Sequence, residues 1–285
     1  MEAGPFIDRK INFIEGISPH PGISWKVEEH MKSGRLKGKR AVITGGAGGI
    51  AIATALEFTA QGAAVSLTDL HLDDLDNVAA QIVSRGGKAK AFVADVTVRK
   101  DVESLMSEAD SFMGGIDILV TCAGGYKSYA GFEDIGEEDW DKVIDVNLKG
   151  VFLCCRAVLP YMKTLGWGRI INLGSLAGRS TSAGTSPVHY ASAKAGVSML
   201  TQYLAKDVGR YGITANTIAP GTTMTERVTN LLTPEKKEMF TKASPLGRLA
   251  QPEEISDVIT FLASDESRYI TGATIDVNGG RLMLV

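Results

Sequence analysis

From residue 39 onward the chain alternates between two hydrophobic rhythms. Short solid apolar runs of strand length are followed by longer stretches in which apolar residues return every three or four positions, the spacing of a helix with one buried face. Residues 40–44 read as a first strand, 49–61 as a helix, 63–68 as a strand, 72–85 as a helix, 89–94 as a strand, 98–112 as a helix and 116–121 as a strand. Beyond these the pattern predicts helices over 137–148 and 151–164, a strand over 168–175, a long helix from about 188 to 210 and a strand over 213–218. A helical flap over 226–244, a helix over 252–263 and a last strand over 273–277 complete it. Solid apolar strands are strands covered on both faces, and strands alternating with helices of this length build a parallel sheet. The predicted fold is a single-domain, Rossmann-type doubly wound α/β sheet of about seven strands, helices on both faces, over residues 35–285.

Residues 1–34 have no sustained period. Pro5 and Pro19-His20-Pro21-Gly22 mark an irregular extension, with a short helix expected over 25–31. Phe6, Ile11, Phe13, Ile14, Ile17, Ile23 and Trp25 pack on the main domain or a neighbouring subunit, unless the segment is a floppy leader. A 285-residue chain with 44% hydrophobic and 22% charged residues and a net charge of −3 is a globular protein, with no basic run for nucleic acid or an anionic membrane. The apolar runs are strand-sized and the first thirty residues lack a signal-peptide core, so the expected compartment is the cytoplasm. Cys122, Cys154 and Cys155 match neither a disulfide framework nor zinc spacing; they read as small buried hydrophobes, and no metal site is expected.

Chemistry gathers at the strand ends. Between the first strand and its helix lies Gly45-Gly46-Ala47-Gly48-Gly49-Ile50-Ala51. Glycines there let backbone approach a ligand closely, and the helix that follows presents free N–H groups and a positive dipole end, which together suit a pyrophosphate. Asp69 closes the second strand twenty residues beyond Gly49. An acid at that place accepts hydrogen bonds from the adenosine ribose and repels a 2′-phosphate, so NAD is expected over NADP. Asp95-Val96 after the third strand and Cys122-Ala123-Gly124-Gly125 after the fourth lie on the same rim, as adenine and ribose neighbours.

Tyr190 and Lys194 stand four apart at the start of the long helix, hence on one face. A neighbouring ammonium favours phenolate and would lower a pKa that is ~10 in water, fitting Tyr190 for general acid–base work. Ser175, at the carboxyl end of the fifth strand, lies on the same rim.

These residues together resemble the classical short-chain dehydrogenase/reductase family over about residues 36–280. The resemblance rests on Thr44-Gly45 to Gly49-Ile50, Asp95, Ala123-Gly124, Asn147, Ser175, Tyr190-Ala191-Ser192-Ala193-Lys194, Pro220-Gly221, Thr271-Gly272 and Asp276-Val277-Asn278-Gly279-Gly280. Two positions depart from the family pattern: Ala51 replaces the loop's last glycine, and Cys122 replaces the usual Asn. The resemblance implies that Tyr190 exchanges a proton with the substrate oxygen, Ser175 holds that oxygen, Lys194 lowers the Tyr190 pKa and binds ribose, and Asn147 anchors a relay water. It also implies that the turn Pro220-Gly221-Thr222-Thr223-Met224-Thr225 meets the nicotinamide carboxamide, Thr225 foremost, and that the chain forms a dimer or tetramer through the helices over 151–164 and 188–210 and the last strand. The activity expected is hydride transfer between NAD(H) and a small or cyclic secondary alcohol or ketone. Two alternatives accompany it: a 3-oxoacyl-carrier-protein reductase using NADPH, and a non-catalytic NAD sensor. Gly125, Tyr126, Lys127, Leu176, residues 186–189 and the flap are expected to line the pocket. Lys127, Arg179 and Arg227 are expected as solvated surface, with pairing to an acidic substrate as the alternative, and His189 is expected at a wall or interface.

Overall fold

A computed structural model describes residues 34–181 and 186–283. Expectations for the N-terminal extension lie outside the described residues, apart from Gly34. The described residues form one compact unit. Its seven strands are β1 (Arg40–Thr44), β2 (Ala64–Asp69), β3 (Lys88–Val93), β4 (Ile118–Thr121), β5 (Gly168–Leu173), β6 (Ile213–Pro220) and β7 (Thr274–Val277). All pair in parallel, in the order β3-β2-β1-β4-β5-β6-β7. The α-helices of the described residues are α1 (Gly49–Ala60), α2 (Asp73–Ser84), α3 (Arg99–Met113), α4 (Glu137–Ile144), α5 (Gly150–Leu165), α6 (Val188–Val208), α7 (Glu226–Leu231), α8 (Pro234–Ala243) and α9 (Pro252–Ala263).

Solid apolar strands do what the sequence pattern requires, because successive side chains point to opposite faces and both faces are covered. Val42, Leu119 and Ile170 enter one core with Val102, Leu105, Val151, Val158 and Val197 of α3, α5 and α6. Their neighbours Ala41, Ile43, Ile118, Val120 and Ile171 enter the other with Ala55, Phe58, Leu75 and Ile259 of α1, α2 and α9. The edge strand β3 is instead half-exposed, and its Lys88 and Lys90 lay their ammonium groups over Phe112 and Phe92 at 4.9 Å.

Strand order reverses between β1 and β4, the place where a doubly wound sheet leaves a crevice beyond its strand ends. Register aligns the rim: Thr44 pairs with Thr68 and Thr121, and Thr121 with Asn172. A buried polar ladder then fixes α6 to the sheet. Thr121 Oγ1 donates to Asn172 Oδ1, Asn172 Nδ2 to Thr201 Oγ1, and Thr217 Oγ1 to Thr201 Oγ1, each at 2.9 Å.

Two elements differ from expectation. The helix predicted over 137–148 breaks at Ile144 into a π-type turn, Asp145–Lys149, before α5 begins. A turn wider than the α-helix rotates Asn147 fully inward, a shift that periodicity alone does not reveal. The flap divides into α7 and α8, because Thr225 and Thr233 each cap a new helix by accepting from the backbone N–H three residues on.

Candidate active site

The rim brings Asn147, Ser175, Tyr190 and Lys194 into one cluster. Ser175 follows β5 in extended conformation, and its Oγ accepts from Ala177 N at 3.1 Å, capping a short 3-10 turn. That turn packs against α6 so closely that a Cβ at Gly178 would strike the backbone around Lys194 and Ala195. The cap thus fixes the Ser175 hydroxyl beside α6, near enough to the Tyr190 phenol to pull that group's pKa down. Tyr190 is half-buried, its ring 4.9 Å from that of Tyr126 and tilted by 58°.

Lys194 is almost fully buried and donates from Nζ to the Leu173 carbonyl at 2.7 Å. Burial pulls its pKa down to about 8, with Cys122 opposing. Asn147 donates from Nδ2 to the carbonyls of Gly125 (2.8 Å) and Val143 (2.9 Å), and its Oδ1 accepts from Gly125 N at 2.8 Å. Gly124, at φ +154, passes between these groups: a Cβ there would lie 2.5 Å from Asn147 Oδ1 and 3.3 Å from Lys194 Nζ.

One expectation is corrected. Lys194 is not what lowers the Tyr190 pKa here; burial pushes that pKa up, Tyr126 adds to the rise, and the opposing influences are the Ser175 hydrogen bond and the charge of Arg227. Helical spacing does set both residues on one face, but the ammonium reaches across to the end of β5 and stays 5.8 Å from the phenol ring centroid. Phenol is therefore the resting form near neutral pH, a proton donor.

His189 is also reassigned, from a wall or interface to a support inside the fold. Its imidazole is fully buried, Nδ1 accepts from Tyr190 N at 2.9 Å, and Nε2 stands 3.1 Å from Asp139 Oδ2. A ring whose Nδ1 accepts must carry its proton on Nε2, so it donates to Asp139 and ties α4 to the first turn of α6. Nothing in the local sequence marks Asp139 for this role. The available signal was His189 itself, since a buried imidazole needs partners for both nitrogens.

The remaining candidates stand at the strand and helix ends of the same rim, and the glycine loop suits a dinucleotide. Gly48 offers α1 no side-chain cap and the first turn has no acid, leaving N–H groups and dipole for an anion. Gly45, at φ +66, packs on Ala123 with no room for a Cβ, and a Cβ at Gly49 would press on Thr225 at 3.0 Å. Gly46, whose N–H donates to the Thr68 carbonyl, has its own Cβ space filled by Leu75 and Leu67. Ile50 is half-buried on α1 and accepts through its carbonyl from Thr54 Oγ1 at 2.7 Å. Asp69 Oδ2 accepts from Ala47 N at 3.1 Å and Oδ1 from Leu70 N at 2.8 Å, which fixes the carboxylate beside the loop. Asp95 Oδ1 accepts from Thr97 N and Oγ1 at 2.8 and 2.7 Å, while the Val96 side chain is buried against Gly150.

Cys122 makes the strand-end tie without the family's Asn. Its N–H donates to the Thr44 carbonyl at 3.2 Å, and Ala123 N to Thr44 Oγ1 at 3.3 Å. Burial pushes the Cys122 thiol up to about 12, so it is neutral beside the ammonium. Pro220 ends β6, Gly221 N donates to the Val277 carbonyl at 3.0 Å, and Thr223 is buried with Oγ1 donating to the Gly221 carbonyl at 3.2 Å. Thr225 Oγ1 caps α7 by accepting from Val228 N, keeping its own proton for a ligand. Among the described residues no cluster of His, Cys, Asp and Glu could hold a metal ion, and no helix is long and apolar enough to cross a membrane.

Comparison with known proteins agrees with this geometry. Residues 45–281 match the family model described as enoyl-(acyl carrier protein) reductase. The chain is 41% identical over 250 residues to the 3-oxoacyl-[acyl-carrier-protein] reductase FabG of Thermotoga maritima, spanning 86% of this chain and 98% of that one. It is 39% identical over 262 residues to the (3R)-3-hydroxyacyl-CoA dehydrogenase of Mus musculus, with 87% and 98% covered. Among solved structures, levodione reductase superposes with a TM-score of 0.83 at 32% identity, over 86% of this chain and 98% of the other. Crevice, site cluster and relatives together make this chain a member of the short-chain dehydrogenase/reductase family, oxidoreductases that work with a nicotinamide cofactor.

Proposed function

We propose that the protein transfers hydride between NAD(H) and a small secondary alcohol or ketone, with Tyr190 as general acid–base. The observation that carries this reading is the convergence of the Tyr190 phenol, the Ser175 hydroxyl and the buried Lys194 ammonium at the carboxyl end of β5, one strand over from the strand-order reversal. Bound at the crevice, the cofactor's ring supplies or takes the hydride. The chain's residues manage the oxygen. In the reducing direction the phenol, kept protonated by burial, gives its proton to the ketone oxygen while Ser175 holds that oxygen in place. Lys194 keeps a positive charge close to the proton donor and next to the place of the ribose, and Asn147 clamps Gly125 below it.

The NAD preference rests on Asp69. Its carboxylate is fixed beside the phosphate loop, where a 2′-phosphate would meet negative charge, and neither residues 44–51 nor 68–72 contain Lys or Arg. The rate per unit concentration is expected to be at least about tenfold higher with NADH than with NADPH. Asp69→Ala should erase most of that margin, because a hydrogen bond to a charged group is worth about 1.5–3 kcal/mol. Steady-state kinetics with both cofactors decides it, and parity in the unaltered enzyme ends the NAD assignment.

A second reading, reduction of a 3-oxoacyl thioester, draws on the names of the FabG and hydroxyacyl-CoA relatives. The same assay tests it with 3-oxobutanoyl-CoA as substrate.

We also infer a homo-oligomer. Phe152 on α5 and Met199 and Tyr203 on α6 are 45%, 54% and 66% exposed, an apolar surface on the two helices that the sheet leaves uncovered. Light scattering is expected to give a dimer or tetramer, and Met199→Glu with Tyr203→Glu a monomer; a monomeric unaltered protein refutes this.

A further inference from the structure

Three basic residues border the substrate end of the site, and the structure sorts them. Arg179 is taken up by Asp276, Nη2 to Oδ2 at 3.3 Å. Lys127 is exposed, and its charge acts on the Glu138 carboxyl. Arg227 is exposed like Lys127 but differs from both in its partner. It stands in the first turn of α7, directly after the Pro220–Thr225 turn, and donates from Nη2 to the Tyr126 carbonyl. Tyr126 is the residue whose ring packs on Tyr190.

Two further observations fix the place of this guanidinium. The guanidinium lies directly over Gly125, in the space a Cβ would take, on the loop that Asn147 clamps. Its charge also reaches the Tyr190 hydroxyl and opposes the upward push of burial there. Among the described residues no carboxylate ion-pairs with Arg227, and the Tyr126 carbonyl takes one hydrogen bond from a group with five N–H donors. Arg227 is exposed, and its surplus donors are left beside the Tyr126–Tyr190 pair, next to the place the proposed reaction gives its substrate. A planar fork of this kind matches a carboxylate.

We propose that Arg227 reads the substrate: it pairs with a carboxylate carried a few bonds from the reacting carbon, so that the preferred substrates are oxo and hydroxy acids rather than neutral ketones and alcohols. This rests on the reading of Tyr190 and Ser175 as the site of the reacting oxygen, and it narrows the substrate class of that site. An uncharged ester of the same acid keeps the reacting group and removes only the ionic partner.

Two substrate pairs serve as probes, 3-oxobutanoate and 4-oxocyclohexanecarboxylate, each with its methyl ester, assayed as NADH oxidation. For the unaltered enzyme the acid is expected to exceed its ester in kcat/KM by tenfold or more, mainly through KM. Arg227→Met should bring that ratio down at least tenfold, and Arg227→Lys should keep part of it. Equal use of acid and ester by the unaltered enzyme, or a ratio that Arg227→Met leaves unchanged, overturns the proposal. Should no probe be turned over, the reading of Tyr190 falls first, and calorimetry of the NAD-loaded protein judges the arginine separately. Binding of 4-oxocyclohexanecarboxylate weakened tenfold by Arg227→Met supports the carboxylate site; equal or absent binding in both proteins overturns it.

Discussion

Tyr190→Phe is expected to lower kcat by about 10²–10⁴-fold, the range that a positioned general acid–base supplies, while NAD affinity stays within a few-fold. The substitution removes one oxygen and keeps the ring, which packs 4.9 Å from Tyr126, so the local hydrophobic contact survives. Ser175 loses its phenol partner but keeps its bond from Ala177 N, and the stability change should stay near 1 kcal/mol. A group used only as the proton moves affects kcat and kcat/KM together, with little change in KM. Single-turnover hydride transfer, run alongside a calorimetric titration with NAD, separates the two quantities. Activity within tenfold of the unaltered enzyme would mean that some other group handles the proton.

The same phenol shows where sequence reading succeeds and where it stops. Strands were legible because burial on both faces writes solid apolar runs, and the loop, Asp69, Ser175 and Tyr190 were legible because each has a fixed place relative to a strand or helix end. Contacts across the fold carry no such local mark. Lys194 shares a face with Tyr190 as its spacing of four requires, yet only the tertiary structure shows the ammonium turned to the Leu173 carbonyl. His189 finds Asp139 fifty residues away, and Arg227 finds Tyr126 across 101 residues. The inward turn of Asn147 depends on one π-type turn at Asp145–Lys149, which a 3.6-residue period does not predict.

Lys194→Met is expected to change how stability depends on pH, in one direction. Burial holds the Lys194 pKa at about 8 in the folded chain, against the ordinary 10.5. Below about pH 8 the amine is protonated in both the folded and the unfolded chain, and the folded chain carries the full cost of a desolvated ammonium. Between about 8 and 10.5 the unfolded chain holds a proton that the folded one has released, so the folding equilibrium gains stability as pH rises. Relative to Lys194→Met, in which every other titration is retained, the unaltered protein should therefore gain on the order of 3 kcal/mol across that window. Urea unfolding of both proteins at steps from about pH 7 to 10 measures the difference, and parallel curves would show that Lys194 has an ordinary pKa. Near neutral pH the same comparison isolates what the ammonium costs the fold, offset in part by its bond to Leu173, whose carbonyl the methionine would leave unpaired. A cation kept almost fully buried at that cost, on the helix face it shares with Tyr190, is a stability concession that the proposed catalytic role would explain and packing does not.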